Sequence, residues 1–356
     1  MKKILFVTAF PPNVKGGGEI FSLSTIKNLS RHFLIDLVYF TYPGHECIAK
    51  DYVSKMISFS PSYINCMKKL DYYPLFSRRF SKTVLSYLKS IIIDYDILYF
   101  DYSQTALYSL YLNHPCKIIR CHDVIVQKIS RKYPFLKFWV KYNEKKILSS
   151  ASKIFTFCDK DSKLIHHEYG LDAIATNEYV SNKSFVISGS DNVEHTFIFF
   201  GFWGRRENLE GLKWFIEKVY PLINNKIKKS FVVMGSGLSD VFFKKYLEPN
   251  NINYLGFVND CLSEIYKNSA LICPLFQGAG IKVKVLDAFT TGTPVIGTDI
   301  AFEGIPDIDG LTFRCSTPND FASTINNFTS LKMQDKIKLQ NIFFSLFTTQ
   351  SIADLI

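Results

Sequence analysis

The 356-residue sequence contains no uninterrupted apolar run of the roughly 18–20 residues that a membrane-spanning helix needs. Its opening, MKKILFVTAF, joins a charged start to a short apolar run, but no small-residue cleavage site follows. This stretch therefore indicates a buried first strand rather than a signal peptide. We expect a soluble or peripheral protein.

The common motifs for metals and nucleophiles are also missing. The seven histidines show no HExxH or paired spacing, the eight cysteines form no CxxC pair, and neither a P-loop nor a nucleophile elbow occurs. Several cysteines lie in apolar runs such as ALICPLF, which indicates buried reduced thiols and hence the cytoplasm. We expect no metal and no cofactor.

The excess of basic charge belongs to the first half of the chain. Residues 1–190 carry 26 Lys and Arg against 15 Asp and Glu, whereas the remainder carries 16 against 17. Two segments, KKLDYYPLFSRRFSK (68–82) and KISRKYPFLKFWVKYNEKK (128–146), mix cations with aromatic side chains. This composition suits an anionic lipid surface, a nucleic acid or a plain solvated helix face. No nucleic-acid-binding module accompanies it, so our hypothesis is an anionic membrane, on its inner face, and no nucleic acid.

Short apolar runs alternate with longer amphipathic ones, which predicts an α/β fold with parallel sheets. KILFVTAF, LIDLVYF, YDILYF, KIIRCHD and KIFTFCD indicate one series of strands, and the pattern restarts at HTFIFFGF near residue 195. We predict two doubly wound, Rossmann-like domains at 1–190 and 191–340, with residues 180–194 as the linker. Residues 341–356 are expected to form a terminal helix that packs back on the first domain. Ligands of such sheets bind beyond the carboxyl ends of the strands, so we expect the site in a cleft between the domains.

One turn in the second half is suited to an anion. The sequence GAGIKVKVLDAFTTGTP (278–294) follows the strand ALICPLF, so a glycine turn leads directly into a helical pattern. Small residues at a positive helix end let a phosphate approach the backbone amides, and Lys282 and Lys284 add positive charge nearby. An ordinary tight turn between a strand and a helix is the alternative.

A longer stretch carries a family resemblance. From Tyr254 the chain runs YLGFVNDCLSEIYKNSALICPLFQGAGIKVKVLDAFTTGTPVIGTDIAFEGIP. This closely resembles the donor-binding half of the family-4 (group 1) retaining glycosyltransferases, which have the GT-B fold. FGFWGRRENLEGLKWFIEKVYPLI, with Asn208 and the pair Trp214-Phe215, and PPNVKGGGEIFSLSTIKNL extend the resemblance over nearly the whole chain. The matching features are an LGFV strand end, an LYxxA-type helix, a strand-ending proline, a glycine turn, an LEAMAxGxPVV-type helix and an EG pair, at 255–258, 265–270, 274, 278–280, 286–294 and 303–304.

The resemblance implies that the second domain binds a nucleotide-diphosphate sugar and that the first binds a glycan or lipid-linked acceptor. The amides of Gly280 and Ile281 would hold the diphosphate. Asp287 would bind the ribose hydroxyls in place of the second Glu of the family's E-x7-E pair, although Asp is one methylene shorter. The first Glu of that pair is replaced by Ala279, which removes one sugar-positioning candidate and leaves the donor sugar open.

Three further residues are implied as catalytic, each with a structural alternative. His122 would contact the transferring sugar or the acceptor, unless it forms a structural hydrogen-bonding pair with an Asp. Arg206, with Arg205 as second choice, would face the β-phosphate, unless these arginines are solvated. The family's usual lysine is not evident after them, so Lys282 or Lys284 would supply its charge.

The remaining implied residues line the donor or acceptor site. Gly17 and Gly18 would lie in a loop near the donor phosphate or the acceptor, with simple turn geometry as the alternative. Glu303 would line the donor site, unless it caps a helix. The other implied donor-site residues are Gly235, Phe257 and Val258.

These features predict a retaining glycosyltransferase in cell-surface polysaccharide or glycolipid biosynthesis. Two alternatives remain open: a GT-B nucleotide-sugar epimerase, and a non-catalytic sugar-nucleotide binding or assembly protein. Ala279 and the shortened Asp287 make the second alternative worth testing.

Overall fold

The computed structural model describes residues 1–14, 17–61, 71–176, 185–187, 196–346 and 352–356. The chain divides into two compact units, Met1–Val180 with Thr349–Ile356, and Ser181–Thr348. The predicted linker, residues 180–194, lies outside the described residues except for 185–187. No helix in the described ranges is long and apolar enough to cross a membrane.

The first unit is built on a seven-stranded sheet in the order β3-β2-β1-β4-β5-β6-β7, and every neighbouring pair is parallel. Its central strands are nearly continuous apolar runs because helices cover both faces of a parallel sheet. The strands are β1 (Lys3–Thr8), β2 (Leu34–Phe40), β3 (Lys55–Phe59), β4 (Ile97–Asp101), β5 (Lys117–Arg120), β6 (Lys153–Thr156) and β7 (Ile174–Ala175). The α-helices are α1 (Gly17–Leu29), α2 (Pro74–Ser77), α3 (Lys82–Ile91), α4 (Ile125–Lys132), α5 (Lys137–Leu148) and α6 (Asp159–Tyr169).

The second unit repeats the same plan with six parallel strands in the order β10-β9-β8-β11-β12-β13. The strands are β8 (Phe197–Phe200), β9 (Phe231–Met234), β10 (Asn253–Gly256), β11 (Ala270–Cys273), β12 (Val295–Gly297) and β13 (Thr312–Arg314). The α-helices are α7 (Arg206–Trp214), α8 (Asp240–Phe242), α9 (Cys261–Lys267), α10 (Val283–Thr290), α11 (Pro318–Asn326) and α12 (Met333–Leu346). Helix α7 continues as a π-helical segment, Phe215–Val219, and a 3₁₀ turn, Tyr220–Leu222.

In both sheets the order in which successive strands are added reverses direction once, which is the doubly wound arrangement. The strand order changes between β1 and β4 in the first unit and between β8 and β11 in the second. Crevices for ligands open at these switch points, beyond the carboxyl ends of the strands. The predicted fold class, α/β with two doubly wound Rossmann-like domains, is confirmed.

The end of the chain belongs to the first unit. A last short helix, α13 (Ile352–Leu355), packs beside α1, and Ile352 is fully buried in the cluster that contains Leu23 and Ile26. The Lys153 ammonium donates a hydrogen bond of 2.7 Å to the carbonyl oxygen of Leu355. These contacts anchor the terminus to a strand and a helix of the first unit.

The seven cysteines within the described residues are all free, and four of them are buried. Burial raises the pKa of the Cys121 thiol above its ordinary value and that of Cys158 to about 12. These thiols pack as small apolar side chains, because a buried thiol with a raised pKa is a poor nucleophile and a poor metal ligand.

Candidate functional site

The glycine turn before α10 leaves backbone donors open. Gly278 and Gly280 have φ values of 130° and 67°, which favour glycine, and α10 begins at Val283 without a side-chain cap. Within the described part of the chain, neither the Gly280 nor the Ile281 amide donates a hydrogen bond. An uncapped helix start with free amides just before it has the geometry that binds phosphate groups.

Asp287 lies one turn into α10 and has no partner. Its carboxylate is half-buried and forms no hydrogen bond or ion pair with any described residue. Burial raises the pKa of Asp287 to about 7. Burial raises the pKa of the nearby Cys261 thiol to about 11. The charge of Asp287 adds to this rise. A half-buried carboxylate without a partner is poised to accept hydrogen bonds from a ligand.

The two lysines of the turn take different directions. Lys282 folds back on the turn, where its ammonium donates to the carbonyl oxygens of Gly280 (2.6 Å) and Ala279 (3.3 Å). Lys284 instead donates a hydrogen bond of 2.8 Å to the side-chain oxygen of Asn208 on α7. The ammonium of Lys282, which was predicted to be catalytic, is thus hydrogen-bonded to the backbone of its own turn.

Neither of the predicted arginines is buried. Arg206 opens α7 and forms an exposed ion pair of 2.6 Å with Glu210, one turn along the helix. Arg205 is the exposed N-cap residue of α7, and its charge contributes, after burial, to a lowered pKa of Lys284. Of the two guanidinium groups, that of Arg205 is therefore the one whose charge influences the pKa of Lys284.

Gly235 has a structural reason to be glycine. It follows β9 with φ at 118°, and a Cβ there would collide with the carbonyl oxygen of Gly201, which follows β8. The Tyr254 hydroxyl donates to the Gly235 carbonyl oxygen at 2.8 Å. The close approach of these two strand ends requires glycine whether or not a ligand binds, and the donor-site role of Gly235 stays a prediction.

The other predicted donor-site residues lie on loops at the carboxyl edge of this sheet. Phe257 and Val258 follow β10, and the Phe257 ring is 73% exposed. Glu303 is half-buried in a run of turns between β12 and β13. No helix begins at Glu303, so the alternative in which it caps a helix is wrong: β12 and β13 are joined through turns alone.

In the first unit, His122 and Asp101 meet beyond neighbouring strand ends. His122 follows β5, Asp101 ends β4, and the His122 Nε2 lies 2.9 Å from the Asp101 carboxylate. The Tyr102 ring stacks on the imidazole with centroids 3.5 Å apart, and Phe157 meets it edge-on at 4.9 Å. His122 is thus held in one orientation. Its hydrogen-bonding partner is Asp101 and not the adjacent Asp123, which binds Lys128.

Asp101 remains ionised although it is completely buried. Burial by itself raises its pKa, but the neighbouring His122 and Arg120 and the Ser22 hydroxyl more than offset this, so the pKa lies below the ordinary value. The Ser22 hydroxyl donates to the second carboxylate oxygen at 2.5 Å, and the Thr8 hydroxyl at 3.3 Å. The site therefore contains a buried, ionised carboxylate that accepts a hydrogen bond from the His122 ring and holds it in place.

Gly18, in the first turn of α1, makes room for Tyr102. A Cβ on Gly18 would collide with the Tyr102 hydroxyl, and Tyr102 itself has φ at 74°, which L residues rarely adopt. Gly17 is the half-buried first residue of α1, and Gly16 lies outside the described residues. The structure brings Gly18 and His122 together around Tyr102, which sequence reasoning missed because no motif marks it.

The two aromatic and basic segments differ in the structure. In the first, residues 68–70 lie outside the described residues, and Tyr72, Phe76, Arg79 and Phe80 are buried, so this part belongs to the core. The second presents a surface that we call the aromatic–basic surface. We define it by six of the exposed residues in this segment: Arg131, Lys132, Phe135, Phe138, Tyr142 and Lys145.

Across the described ranges, no group of three or more His, Cys, Asp or Glu side chains is arranged to hold a metal ion. Positive charge at the carboxyl edge of the second sheet is carried by lysine and arginine side chains.

Two Rossmann-like units on one chain define the GT-B class of fold, and solved structures share it. WaaG, described as a glycosyltransferase involved in lipopolysaccharide biosynthesis, is 14% identical over 99% of each chain with a TM-score of 0.72. HepE from Anabaena, solved with UDP and glucose, is 12% identical over 100% of this chain and 98% of its own, with a TM-score of 0.68. A mutant of TarM from S. aureus, solved with Fondaparinux, alpha-GlcNAc-glycerol and UDP, is 13% identical over 99% and 98%, with a TM-score of 0.68. At identities this low, the structural similarity shows that the fold is shared and shows nothing beyond the fold.

The second unit matches a family model. Residues 194–330 match the model of the family Glycosyl transferases group 1, so the chain carries a group 1 glycosyltransferase domain, and the resemblance seen in the sequence is confirmed there. A Klebsiella pneumoniae protein, described as an uncharacterized 44.6 kDa protein in the cps region, is 29% identical over 237 residues. That alignment covers 59% of this chain, and the chain spans 58% of the length of that relative.

Proposed function

We propose that this chain is a glycosyltransferase whose second unit binds a nucleotide-diphosphate sugar. The observation that carries the proposal is the start of α10, where free turn amides and the unpartnered Asp287 carboxylate lie at the carboxyl edge of a group 1 domain. Free amides suit the diphosphate, and a carboxylate one helical turn away suits the two ribose hydroxyls. Together they match the diphosphate and the adjoining ribose of a nucleoside diphosphate.

In the proposed reaction, the bond between the anomeric carbon and the β-phosphate oxygen breaks. The oxygen of an acceptor hydroxyl forms the new bond to that carbon, its proton is released, and the nucleoside diphosphate departs. Negative charge therefore grows on the leaving group. In this proposal the amides of Gly280 and Ile281 and the Arg205 guanidinium would stabilise that charge.

The finer parts of the proposal have separate supports. Retention of the anomeric configuration rests on the resemblance of residues 254–306 to the family-4 enzymes. A role in cell-surface polysaccharide or glycolipid synthesis is supported by two descriptions: lipopolysaccharide biosynthesis for WaaG and the cps region for the Klebsiella relative. The proposal of a glycan or lipid-linked acceptor on the first unit rests on the resemblance to the family-4 enzymes. His122, oriented by Asp101, would contact the acceptor or the transferring sugar.

The transferase activity is tested by incubating the full chain with each common nucleotide sugar, with and without a lipid and glycan extract as acceptor. We expect nucleoside diphosphate release that depends on the extract and is lost in Asp287→Ala. Conversion of the sugar nucleotide without any acceptor would support the epimerase instead. Binding of a sugar nucleotide without turnover in any extract would support a non-catalytic binding protein.

We also propose that the aromatic–basic surface docks the first unit on the inner, anionic face of a membrane. Phe135 and Phe138 are 79% and 82% exposed, and Phe138, Tyr142 and Lys145 project from one face of α5 at helical spacing. Exposed aromatic rings flanked by Lys and Arg suit the headgroup region of anionic lipids, where the rings insert and the cations attract phosphate.

Vesicle co-sedimentation tests this docking. We expect the protein to pellet with phosphatidylglycerol vesicles at low salt and to remain in solution with phosphatidylcholine vesicles. Phe138→Ser should weaken the binding several-fold, whereas Ile93→Ser, which changes an 88% exposed apolar residue elsewhere in the first unit, should not. Equal binding of both variants, or no binding to either vesicle, would count against the aromatic–basic surface.

A further inference from the structure

Five aromatic rings cross the carboxyl edge of the first sheet in the same order as its strands. We call them the aromatic row: Tyr42 after β2, Phe10 after β1, Tyr102 after β4, His122 after β5 and Phe157 after β6. Along the row in that order, neighbouring ring centroids lie 5.6, 5.3, 3.5 and 4.9 Å apart. The row therefore connects His122, at the proposed reaction site, to a tyrosine beyond the end of β2.

The two ends of the row differ in exposure. Phe157 and Tyr102 are buried, whereas Phe10 is half-buried and Tyr42 is 43% exposed. The buried rings belong to the core and support the others. A single exposed tyrosine is common on protein surfaces, so the way in which Tyr42 and Phe10 are held decides whether they form a site.

Tyr42 is presented by a tight turn that is pinned to α1. Pro43 and Gly44 occupy the centre of the turn, where Gly44 has φ at 74°, and the His45 amide donates to the Tyr42 carbonyl oxygen at 3.1 Å. The His45 Nδ1 lies 2.8 Å from the buried carboxylate of Glu19 in the first turn of α1, and the His45 ring meets the Tyr42 ring edge-on at 4.9 Å. Tyr42 is thus fixed before a ligand binds, which lowers the entropic cost of binding.

Phe10 is held as firmly. The Arg79 guanidinium lies over its ring, 4.3 Å from the centroid, and the Arg79 Nε donates to the carbonyl oxygen of Ala9 at 2.7 Å. The rings of Tyr42 and Tyr102 both meet Phe10 edge-on. Two accessible rings in fixed orientations therefore lie side by side, one of them next to the ring that stacks on His122.

The charges around this end of the row do not favour an anionic lipid. The exposed charged residues that follow Tyr42 in the loop are Glu46, Lys50 and Asp51, of both signs. This composition differs from that of the aromatic–basic surface, where cations surround the rings. Fixed aromatic rings with polar side chains of both signs at their rim suit a sugar ring, which has an apolar C–H face and hydroxyl groups around its edge.

We propose that Tyr42 and Phe10 form a stacking subsite for an acceptor sugar residue next to the one that reacts near His122. The inference rests on the proposed function and narrows its acceptor to a glycan at least two sugars long. Tyr42 and Phe10 contact this sugar, whereas Glu19 and His45 are positioning residues. Because the subsite lies away from the bond that forms, it contributes to acceptor affinity and leaves the chemical step unchanged.

The test measures nucleoside diphosphate release against the concentration of water-soluble glycans freed from the acceptor extract by mild acid. Tyr42→Leu should raise the glycan concentration for half-maximal rate about 3- to 10-fold, because it removes the ring face. Its kcat and its KM for the sugar nucleotide should equal those of wild type, which also shows that the variant folds. Tyr42→Phe keeps the ring and should restore the wild-type value. Ile93→Ser, at an exposed apolar residue elsewhere in the first unit, is the control.

The length of the acceptor provides a second comparison. Monosaccharides from complete hydrolysis of the same glycans cannot reach both positions, so wild type and Tyr42→Leu should respond to them equally.

An unchanged half-maximal concentration in Tyr42→Leu, or an equal rise in Tyr42→Phe, would overturn the stacking subsite and leave the transferase standing. Release by wild type that requires the intact lipid-linked extract would overturn the glycan assignment in favour of the lipid. If wild type released no nucleoside diphosphate with any sugar nucleotide, the subsite and the proposed function would both fail.

Discussion

At the scale of single residues, Asp287 connects the chemistry of the proposed site to pH. Its pKa of about 7 is caused by burial without a compensating partner, so the apo protein holds this carboxyl near its titration point at neutral pH. The ordinary value for Asp in an unfolded chain is 3.8. Because the folded-state pKa is raised, stability that is present below pH 3.8 is lost as the pH rises through about 7.

A ligand that donates hydrogen bonds to the carboxylate should reverse this trend. Ribose hydroxyls bind the ionised form more strongly, so we expect nucleoside diphosphate affinity to rise several-fold between about pH 6 and pH 8. Titration calorimetry of wild type and Asp287→Asn checks this. The ligand's own phosphate titration is common to both proteins, so the difference between the two profiles isolates Asp287. Parallel profiles would contradict a role for this carboxylate in nucleotide binding.

Sequence reasoning located Asp287 but not the partners of the other charges. The position of Asp287 follows from local features, a glycine turn and a helix of fixed period, which a sequence displays directly. The partner of Lys284 is Asn208, 76 residues away, and that of His122 is Asp101 on a neighbouring strand. Such contacts depend on how helices and strands pack, and no local pattern records them.

At the scale of secondary structure elements, Glu144 provides a cap that joins two helices. It lies on α5, is buried, and accepts hydrogen bonds from the amides of Ile125 (2.9 Å) and Val126 (2.8 Å) at the start of α4. The Tyr169 hydroxyl donates to it at 2.6 Å. Since α4 begins just after His122, this cap also fixes the end of the loop that carries the histidine. Burial raises the pKa of Glu144 to about 7, so only part of the population is ionised at neutral pH.

Removing this cap should be costly. Glu144→Ala leaves two buried amides and a hydroxyl without an acceptor, so we expect a loss of about 2–4 kcal/mol in the free energy of unfolding. Glu144→Gln keeps one carbonyl oxygen and should lose less than half of that. Urea unfolding measures both, with Glu46→Ala, an exposed carboxylate, as the control. Equal losses in the Ala and Gln variants would contradict the capping role.

Lys336 holds α12 to the rest of the second unit. Its buried ammonium donates to the carbonyl oxygens of Tyr266 (2.5 Å) and Asn268 (2.8 Å) and to the Thr293 hydroxyl (3.2 Å). Burial without a carboxylate lowers the pKa of Lys336 to about 7. The unfolded chain therefore binds a proton that the folded chain releases, and stability rises as the pH increases from about 7 toward 10.5.

The effect of Lys336 on the pH dependence of stability can be measured by comparing wild type with Lys336→Met. We expect the free energy of unfolding of wild type to gain up to about 1.4 kcal/mol per pH unit over Lys336→Met between about pH 7 and pH 9. Urea unfolding followed by the fluorescence of Trp203 and Trp214, both in the second unit, provides the values. If the two proteins changed in parallel with pH, the lysine would be charged in the folded state.

At the scale of the whole molecule, most of the architecture was predictable. Apolar strand patterns alternating with helical ones predict parallel doubly wound sheets, and both sheets have that order. The helix that Glu303 was considered to cap is absent because the β12–β13 connection consists of turns. The Glu303-Gly304 pair resembles the start of a helix, and only the three-dimensional structure shows that no helix follows it. The sequence also did not show which of the two aromatic and basic segments is exposed, because composition does not distinguish the buried Phe76 from the exposed Phe138.

The measurement that bears most directly on the nucleotide site is a thermal-shift titration of the full chain with UDP, GDP, ADP and CMP. It should be run on wild type and on Asp287→Ala. We expect one nucleoside diphosphate to raise the melting temperature by several degrees in wild type and to have little effect on the variant. Stabilisation by none of the four nucleotides, or equal stabilisation of both proteins, would contradict a nucleotide-sugar site at the start of α10.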